Sequence, residues 1–591
     1  MTQDAPPPGV PGRIGPAGRL VPILAWLPAY QRADLAGDLT AGAITAIMLV
    51  PQAMAYALLA GLPPEVGLYA SIAPPFLYAI FGSSRTMAVG PVAVASLMVA
   101  SALATLAAPG SAEYVALALV LALMVGVILV LLGLLRAGVL ANFLSHSVLA
   151  GFTSAAAILI ALSQVKHLLG VKAPRGRPDE TVVALVQALP EVNRVTVVVA
   201  VISIAVLLLL RGPLARWLRR SGLPKGLAGL IPKTGPLLVV VVATLASGAF
   251  DLAQAAQVVV VGAIPQGLPG FALPHWDLEK WRAIAGAALL IAAVGFVESV
   301  SIARVLASRR RQKVDANREL VGLGMANIGA AFTGGQPVAG GFARSAVNFE
   351  AGARTQLSAI VTVVLIAITV AFFTPTLRHL PHAVLAAIII VSIAGLIAVK
   401  AFRDAWRYDK ADFAAMALTF AGVLALGVEE GIVLGVLASL ALFLWRTSRP
   451  HIAVVGRVGA SEHFRNVNRH EVRTLPHVHA VRVDESLYFA NMPALEAHIL
   501  GAIADDPELA HVVLICSAVD LIDASALEAL EALVGELRDA GVTLHLAEVK
   551  GPVMDRLNRT DFLDHLKPGR VFLSTHEALA TLDKAPQVTA P

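Results

Sequence analysis

The chain has 591 residues, of which 57% are hydrophobic and 14% charged, with a formal net charge of +5. Soluble domains carry about 45–50% apolar and about 25% charged residues, so this composition excludes a disordered chain, a fibrous chain and an ordinary soluble enzyme, and indicates a polytopic membrane protein. One cysteine, Cys516, leaves no intrachain disulfide framework or cysteine metal cluster, and the small basic excess does not describe a nucleic-acid patch.

Charge is uneven: about 53 charged residues fall in the first 450 positions and about 32 in the last 141. The doubled density near residue 450 predicts a domain boundary. The expected organisation is an N-terminal segment at 1–30, a membrane domain at 31–450, a soluble domain at 451–585 and a tail at 586–591. Residues 1–20 are rich in Pro and Gly and lack an uninterrupted apolar core, so no cleavable signal peptide is expected.

In chain order, apolar runs predict helices near 40–60, 66–81, 91–108, 114–135, 147–168, 194–211, 234–249, 283–304, 319–332, 343–350, 355–374, 382–398, 412–427 and 430–446, about fourteen passes. Several are shorter than the ~20 residues that cross hydrocarbon. Two short ones, near 91 and 343, follow Gly/Pro-rich stretches, the pattern of interrupted helices at a transporter's binding site. The loop at 211–233 carries Arg211, Arg216, Arg219, Arg220, Lys225 and Lys233 without an acid; the loop at 304–318 carries Arg304, Arg309, Arg310, Arg311, Lys313 and Arg318. With both loops inside, an even pass count places both termini in the cytoplasm.

The chain also aligns with itself. FGSSRTMAVGPVA (81–93) lies beside FTGGQPVAGGFAR (332–344), and VPQAMAYALLA (50–60) beside VESVSIARVLA (297–307). A repeat of seven passes inserts with opposite polarity, so the two halves would be inverted repeats around a midplane site. The tail alternates differently. VRVDESLYFAN (481–491), HVVLICSAVD (511–520) and VTLHLAEV (542–549) read as strands, and ALEALEALVGELRDAG (526–541) as an amphipathic helix ended by Gly541, together a small α/β domain.

LVPQAMAYALLAGLPPEVGLYAS (49–71), AVGPVAVASLMVA (88–100), GFTSAAAILIALSQVKHLLG (151–170), GFVESVSIA (295–303) and ARSAVNFEAGARTQLS (343–358) resemble the SulP/SLC26 family of anion transporters and exchangers. The tail resembles that family's STAS domain through ESLYFAN (485–491) and VDLIDASALEALEAL (519–533). The resemblance implies fourteen segments in two seven-segment inverted repeats, divided into core and gate domains, with a cytoplasmic α/β STAS domain, and a homodimer.

An anion site also follows from the residues. Gly90-Pro91 and Gly341-Phe342 precede helix-like runs, and helix N-termini offer unpaired N–H groups and positive dipole ends to an anion. Close packing or a bend is the other reading of these glycines. Arg344 opens the second interrupted segment, where a charge costs about 2.5–3.5 kcal/mol on insertion scales and needs a partner or a task. By resemblance it supplies positive potential behind the anion, with Ser345 beside it. Ala343 departs from the family, where serine is frequent, so backbone N–H groups must do more of the binding. Gln52 and Tyr56, four apart and on one helix face, resemble site-lining residues of the first pass; Gly90, Val92 and Ala93 would form the start of the first half-helix and its apolar wall. Glu298 sits in an otherwise apolar pass, so it serves either proton coupling or a static ion pair with Arg344. Coupling to H⁺, with Na⁺ as the alternative, follows from comparable family acids. In the tail, Asp523 and Ser525 stand at the turn where related soluble STAS proteins phosphorylate a serine; an N-cap role for Asp523 is the simpler reading.

The expected function is secondary active transport of a small anion, foremost proton-coupled sulfate symport by alternating access in a bacterial inner membrane. Bicarbonate or C4-dicarboxylate symport, anion exchange, a membrane-anchored regulator acting through the STAS domain and a protein partner of that domain are the alternatives carried forward. No catalytic residues, metal, cofactor or nucleic-acid partner are expected.

Overall fold

The computed structural model describes residues 21–142, 145–173, 178–214, 234–274 and 276–584. The chain divides into two compact units between Ser439 and Leu440. Most of the basic loop at 211–233 lies outside the described residues, as do 1–20 and 586–591.

All fourteen expected segments occur as helical stretches. The first seven are Arg32–Ala60, Pro64–Tyr69 with Ala73–Phe81, Ala93–Leu103, Ala112–Leu134, His146–Leu169, Arg194–Leu209 and Gly235–Ala249. The second seven are Leu278–Ser308, Ala316–Phe332, Phe342–Glu350, Leu357–Ile368, His382–Ile393, Lys410–Ala425 and Val428–Ser448. Among the described residues, seven helical stretches are long and apolar enough by themselves to cross a membrane. Several boundaries differ from the expectation: the first helix begins at Arg32, not 40, the third ends at Leu103, not 108, the eighth runs over Leu278–Ser308, and the twelfth ends at Ile393. The run at 66–81 is two helices, because Pro74 and Pro75 supply no N–H to continue the first turn into the second.

The helices pack in two groups. Segments one to four pack mainly with eight to eleven, and five to seven mainly with twelve and thirteen, the partition expected of inverted repeats; the first helix also meets the seventh and twelfth, and the fourteenth lies against the thirteenth. The tightest interface joins Ala112–Leu134 to Ala316–Phe332. A Cβ on Gly126 would stand 2.8 Å from the Gly324 carbonyl oxygen, and one on Gly324 equally close to that of Gly126. Small residues therefore let these backbones touch, the mode of association available where lipid removes the hydrophobic drive between helices.

The repeats meet at two short strands. β1 (Val89–Gly90) pairs antiparallel with β2 (Ala339–Gly340), Val89 opposite Gly340 and Gly90 opposite Ala339. Val89 and Gly340 are also partners in the self-alignment of 81–93 with 332–344. Equivalent positions of the two halves thus hydrogen-bond to each other, as a two-fold axis through the crossing requires.

In the second unit, β3 (Ile452–Arg457), β4 (Phe464–Asn466), β5 (Val478–Val483), β6 (His511–Ile515), β7 (Thr543–Ala547) and β8 (Val571–Phe572) form one sheet in the order β4-β3-β5-β6-β7-β8. The β5 to β8 neighbours are parallel; β3 and β4 are antiparallel. Met492–Asp505 and Ala524–Asp539 bury Leu495, Ile499, Leu530 and Leu533 against Val481, Val512 and Leu544 on one face. Ala578 and Leu582 cover Val513 and Phe572 on the other. The strand expected at 481–491 ends at Val483. Beyond it, the Asn491 side chain accepts from the Tyr488 N–H and donates to the Ser486 carbonyl, so a local turn replaces the ladder.

Candidate functional site

Two helices begin where the strands cross. Ala93–Leu103 starts after Val92 and Phe342–Glu350 after Gly341, and neither has a side-chain cap. The first N–H groups of each helix are thus left to the space in front of it, where the dipole is positive. A web of buried polar contacts holds these ends. Ser345 Oγ accepts from the Ala88 N–H (3.0 Å), the Gly341 N–H donates to the Ala88 carbonyl (3.1 Å), and Ser299 Oγ accepts from the Gly340 N–H (2.8 Å). Asn327 clasps Val338 through both its N–H and its carbonyl, and Gln336 donates to Ser96 Oγ.

Arg344 lies over this crossing and is 2% exposed. Its Nη1 donates to the Pro91 carbonyl at 2.7 Å, which ties the second half-helix to the lead-in of the first. Its Nε and Nη2 are buried without a hydrogen-bond partner. The glycines make room for it: a Cβ on Gly341 would stand 2.9 Å from Nη2 and 3.0 Å from Cζ, and one on Gly90 3.4 Å from Nη2. The two glycine positions marked in the sequence are thus open because the guanidinium occupies the place of their side chains.

The remaining expected residues differ in burial and in what they touch. Val92 packs with Ala95 and Ala339, and Ala93 is buried beside it. Gln52 and Tyr56 are buried on the first helix, and Tyr56 and Glu298 both lie within electrostatic range of Arg344. Glu298 is half-buried, whereas Ala343 is exposed at the first turn of its helix. Nη1 bonds the Pro91 carbonyl and the other two nitrogens are unbonded, and among the described residues no hydrogen bond or ion pair joins Glu298 to Arg344. The Ser345 hydroxyl serves the Ala88 N–H and so braces the crossing.

Two buried carboxylates were not marked in the sequence. Asp38 accepts from the Arg354 and Thr355 N–H groups (2.6 and 3.0 Å) and from Thr355 Oγ1 (2.6 Å). Glu319 accepts from Tyr78 Oη, Ser83 Oγ and the Ser83 and Ser84 N–H groups, all within 2.6–2.9 Å. They pin the loops that follow the second half-helix and precede the first. Neither stood out in the sequence, because Glu319 lies in the first turn of its helix and Asp38 near the start of its own.

In the second unit the Asp523 carboxylate caps the Ala524–Asp539 helix, accepting from the Ala526 N–H at 2.7 Å and from the Phe489 N–H at 3.2 Å. Ser525, two residues on, is exposed. Among the described residues no group of three or more His, Cys, Asp or Glu side chains is arranged to hold a metal ion.

Comparison with known proteins gives this architecture its relatives. The model of the sulfate permease family matches residues 35–419, and that of the STAS domain matches 469–578. The chain is 36% identical over 573 residues to the probable sulfate transporter 4.2 of Arabidopsis thaliana, covering 95% of this chain and 83% of that one. It is 34% identical over 552 residues to the probable sulfate transporter Rv1739c of Mycobacterium tuberculosis, covering 93% and 96%. The structure of the murine Solute Carrier 26 family member A9 anion transporter in the inward-facing state superposes with a TM-score of 0.88 at 26% identity, over 99% of this chain and 97% of that one. The helix count, the crossing of two half-helices and the appended sheet domain agree with these matches: the chain belongs to the sulfate permease family and is an integral membrane transporter of the SulP/SLC26 type with a STAS domain.

Proposed function

We propose that the protein carries sulfate across its membrane by alternating access, with a proton as the coupling ion. The observation that carries the reading is Arg344: a buried guanidinium with two unpartnered nitrogens, set where two uncapped helix N-termini meet. A buried donor without an acceptor costs about 1–3 kcal/mol, more when charged, so the site gains what an arriving anion satisfies. Gln52, Tyr56, Gly90, Val92, Ala93, Ala343 and Ser345 form its surroundings. Sulfate is chosen because relatives in plants and in Mycobacterium tuberculosis are named sulfate transporters.

Glu298 is the coupling group in this reading. It is half-buried near Arg344 without being hydrogen-bonded to it, so it is free to exchange a proton as the anion comes and goes. Each negative charge entering against a negative-inside potential costs about 2.3 kcal/mol per 100 mV, which protons carried alongside offset. The transport domain spans 31–450 and the STAS domain 451–585, with both termini in the cytoplasm of a bacterial inner-membrane homodimer. Ser525, exposed beside the Asp523 cap, is the regulatory position, read by a cytoplasmic partner.

Uptake of labelled sulfate, bicarbonate and fumarate into proteoliposomes, with and without an inward proton gradient, tests this. Gradient-stimulated sulfate uptake that becomes gradient-independent in Glu298→Gln is the expected result. Gradient stimulation surviving in Glu298→Gln would remove Glu298 from coupling, and uptake of bicarbonate or fumarate without sulfate would replace the substrate.

A further inference from the structure

The second unit carries a strongly basic cavity that transport does not use. It is an open pocket of about 430 Å³ lined by His451, Arg465, Asn466, Arg469, His470, Arg482 and Asp484. Its single lining carboxylate is already engaged. Asp484 accepts from Arg482 Nε and Nη2 (2.5 and 3.0 Å) and lies 2.8 Å from His451 Nδ1. Among the described residues, Arg465, Arg469 and His470 have no carboxylate within ion-pair distance. The excess positive charge of the pocket is therefore uncompensated.

Its place in the chain narrows the ligand. The Val428–Ser448 helix ends in Phe443, Leu444 and Trp445, each more than half exposed, and the Arg449 guanidinium lies over the Trp445 ring at 4.0 Å from its centroid. Aromatic residues followed by arginines mark the level where a membrane helix leaves the hydrocarbon for the head-group layer. Only Arg449 and Pro450 separate that helix from His451, and a residue spans at most about 3.6 Å, so the chain tethers His451, on the pocket lining, within about 11 Å of the helix end. Basic clusters next to a spanning helix attract anionic lipids. Arginine forks match phosphate oxygens two at a time. No Phe, Tyr or Trp lines the pocket.

We propose that the pocket of Arg465, Arg469, His470 and Arg482 binds the phosphate of an anionic phospholipid from the adjacent leaflet, anchoring the STAS domain to the membrane surface. The bound group is a phosphate diester; the acyl chains remain in the bilayer, and the pocket takes only the head group.

The test is calorimetric titration of the full-length detergent-solubilised protein with short-chain phosphatidylglycerol, short-chain phosphatidylcholine and inorganic phosphate. Phosphatidylglycerol binds and phosphatidylcholine does not. At about one fivefold step per basic residue, Arg465→Gln with Arg469→Gln weakens phosphatidylglycerol about 25-fold, and Arg469→Gln alone about fivefold. Arg465→Lys with Arg469→Lys binds more tightly than the double Gln variant, which separates lost charge from lost folding, and less tightly than wild type because lysine lacks the fork. Binding persists in Arg344→Ala, which separates this pocket from the membrane site. Equal phosphatidylglycerol affinity in wild type and the double Gln variant would overturn the site. Inorganic phosphate binding as tightly as the lipid would overturn the lipid as its occupant.

Discussion

Arg344 and Glu319 are both fully buried charges in the membrane unit, and they are treated oppositely. Glu319 accepts four hydrogen bonds from Tyr78, Ser83 and Ser84. Arg344 makes one, to the Pro91 carbonyl, and keeps Nε and Nη2 unpartnered. Burying a charge is tolerated when its hydrogen bonds are complete, so Glu319 reads as a bracket. An incomplete set at the same depth is retained only where something else completes it, so Arg344 reads as half of a binding contact. The difference between scaffold and site in this protein lies in satisfaction, not in burial.

That contrast can be broken most forcefully at Glu319. Glu319→Ala strands the Tyr78 hydroxyl and the Ser83 and Ser84 N–H groups, and losing several such bonds costs at least about 3 kcal/mol. Thermal unfolding in detergent should fall sharply in Glu319→Ala and stay level or rise in Arg344→Ala without substrate. Matching losses in the two variants would erase the distinction.

A finer probe moves the guanidinium without removing it. Gly341→Ala puts a Cβ 2.9 Å from Nη2, so Arg344 must shift. Overpacking of this kind costs about 1–3 kcal/mol, and sulfate affinity should drop about tenfold while the purified protein stays folded. Unchanged affinity would mean the guanidinium position is not critical.

The smallest effect sharpens the comparison from the second unit, where a buried polar group stays neutral instead of charged. His545 is 4% exposed; its Nδ1 accepts from the Arg570 N–H and its Nε2 faces His511 Nδ1 at 3.3 Å. Burial, with the His511 and Arg570 charges, pushes its pKa from 6.5 down to about 4. The unfolded chain therefore takes up this proton first as pH falls. The stabilisation is complete above about pH 6.5 and is lost toward pH 4. Hydrogen exchange in Thr543–Ala547 of the full chain should accelerate across that window, and His545→Asn should flatten the acceleration.

What the sequence disclosed follows the same physics. Arg344 and Glu298 stood out because a charge inside an apolar run is rare, and Gly90 and Gly341 because they interrupt helical periodicity. The self-alignment of 81–93 with 332–344 pointed to the strand crossing that places them together. Asp38 and Glu319 passed unnoticed because each lies near the start of its helix, where an acid is also expected for the dipole. Their burial depends on loops more than two hundred residues away. The strand read at 481–491 failed for a local reason: Tyr488 and Phe489 favour strands, but the Asn491 side chain closes a turn around them. The Ser345 hydroxyl likewise has a backbone partner that no pattern of residue types reveals.

The most direct measurement is the sulfate dependence of thermal unfolding in wild type and Arg344→Ala. If the two unpartnered nitrogens are completed by the substrate, sulfate at a hundred times its Kd stabilises the wild type by about 2.7 kcal/mol and leaves Arg344→Ala unmoved, while the anion-free variant melts no lower than wild type. Equal stabilisation of both proteins by sulfate, or a variant that has simply lost its fold, would contradict the account.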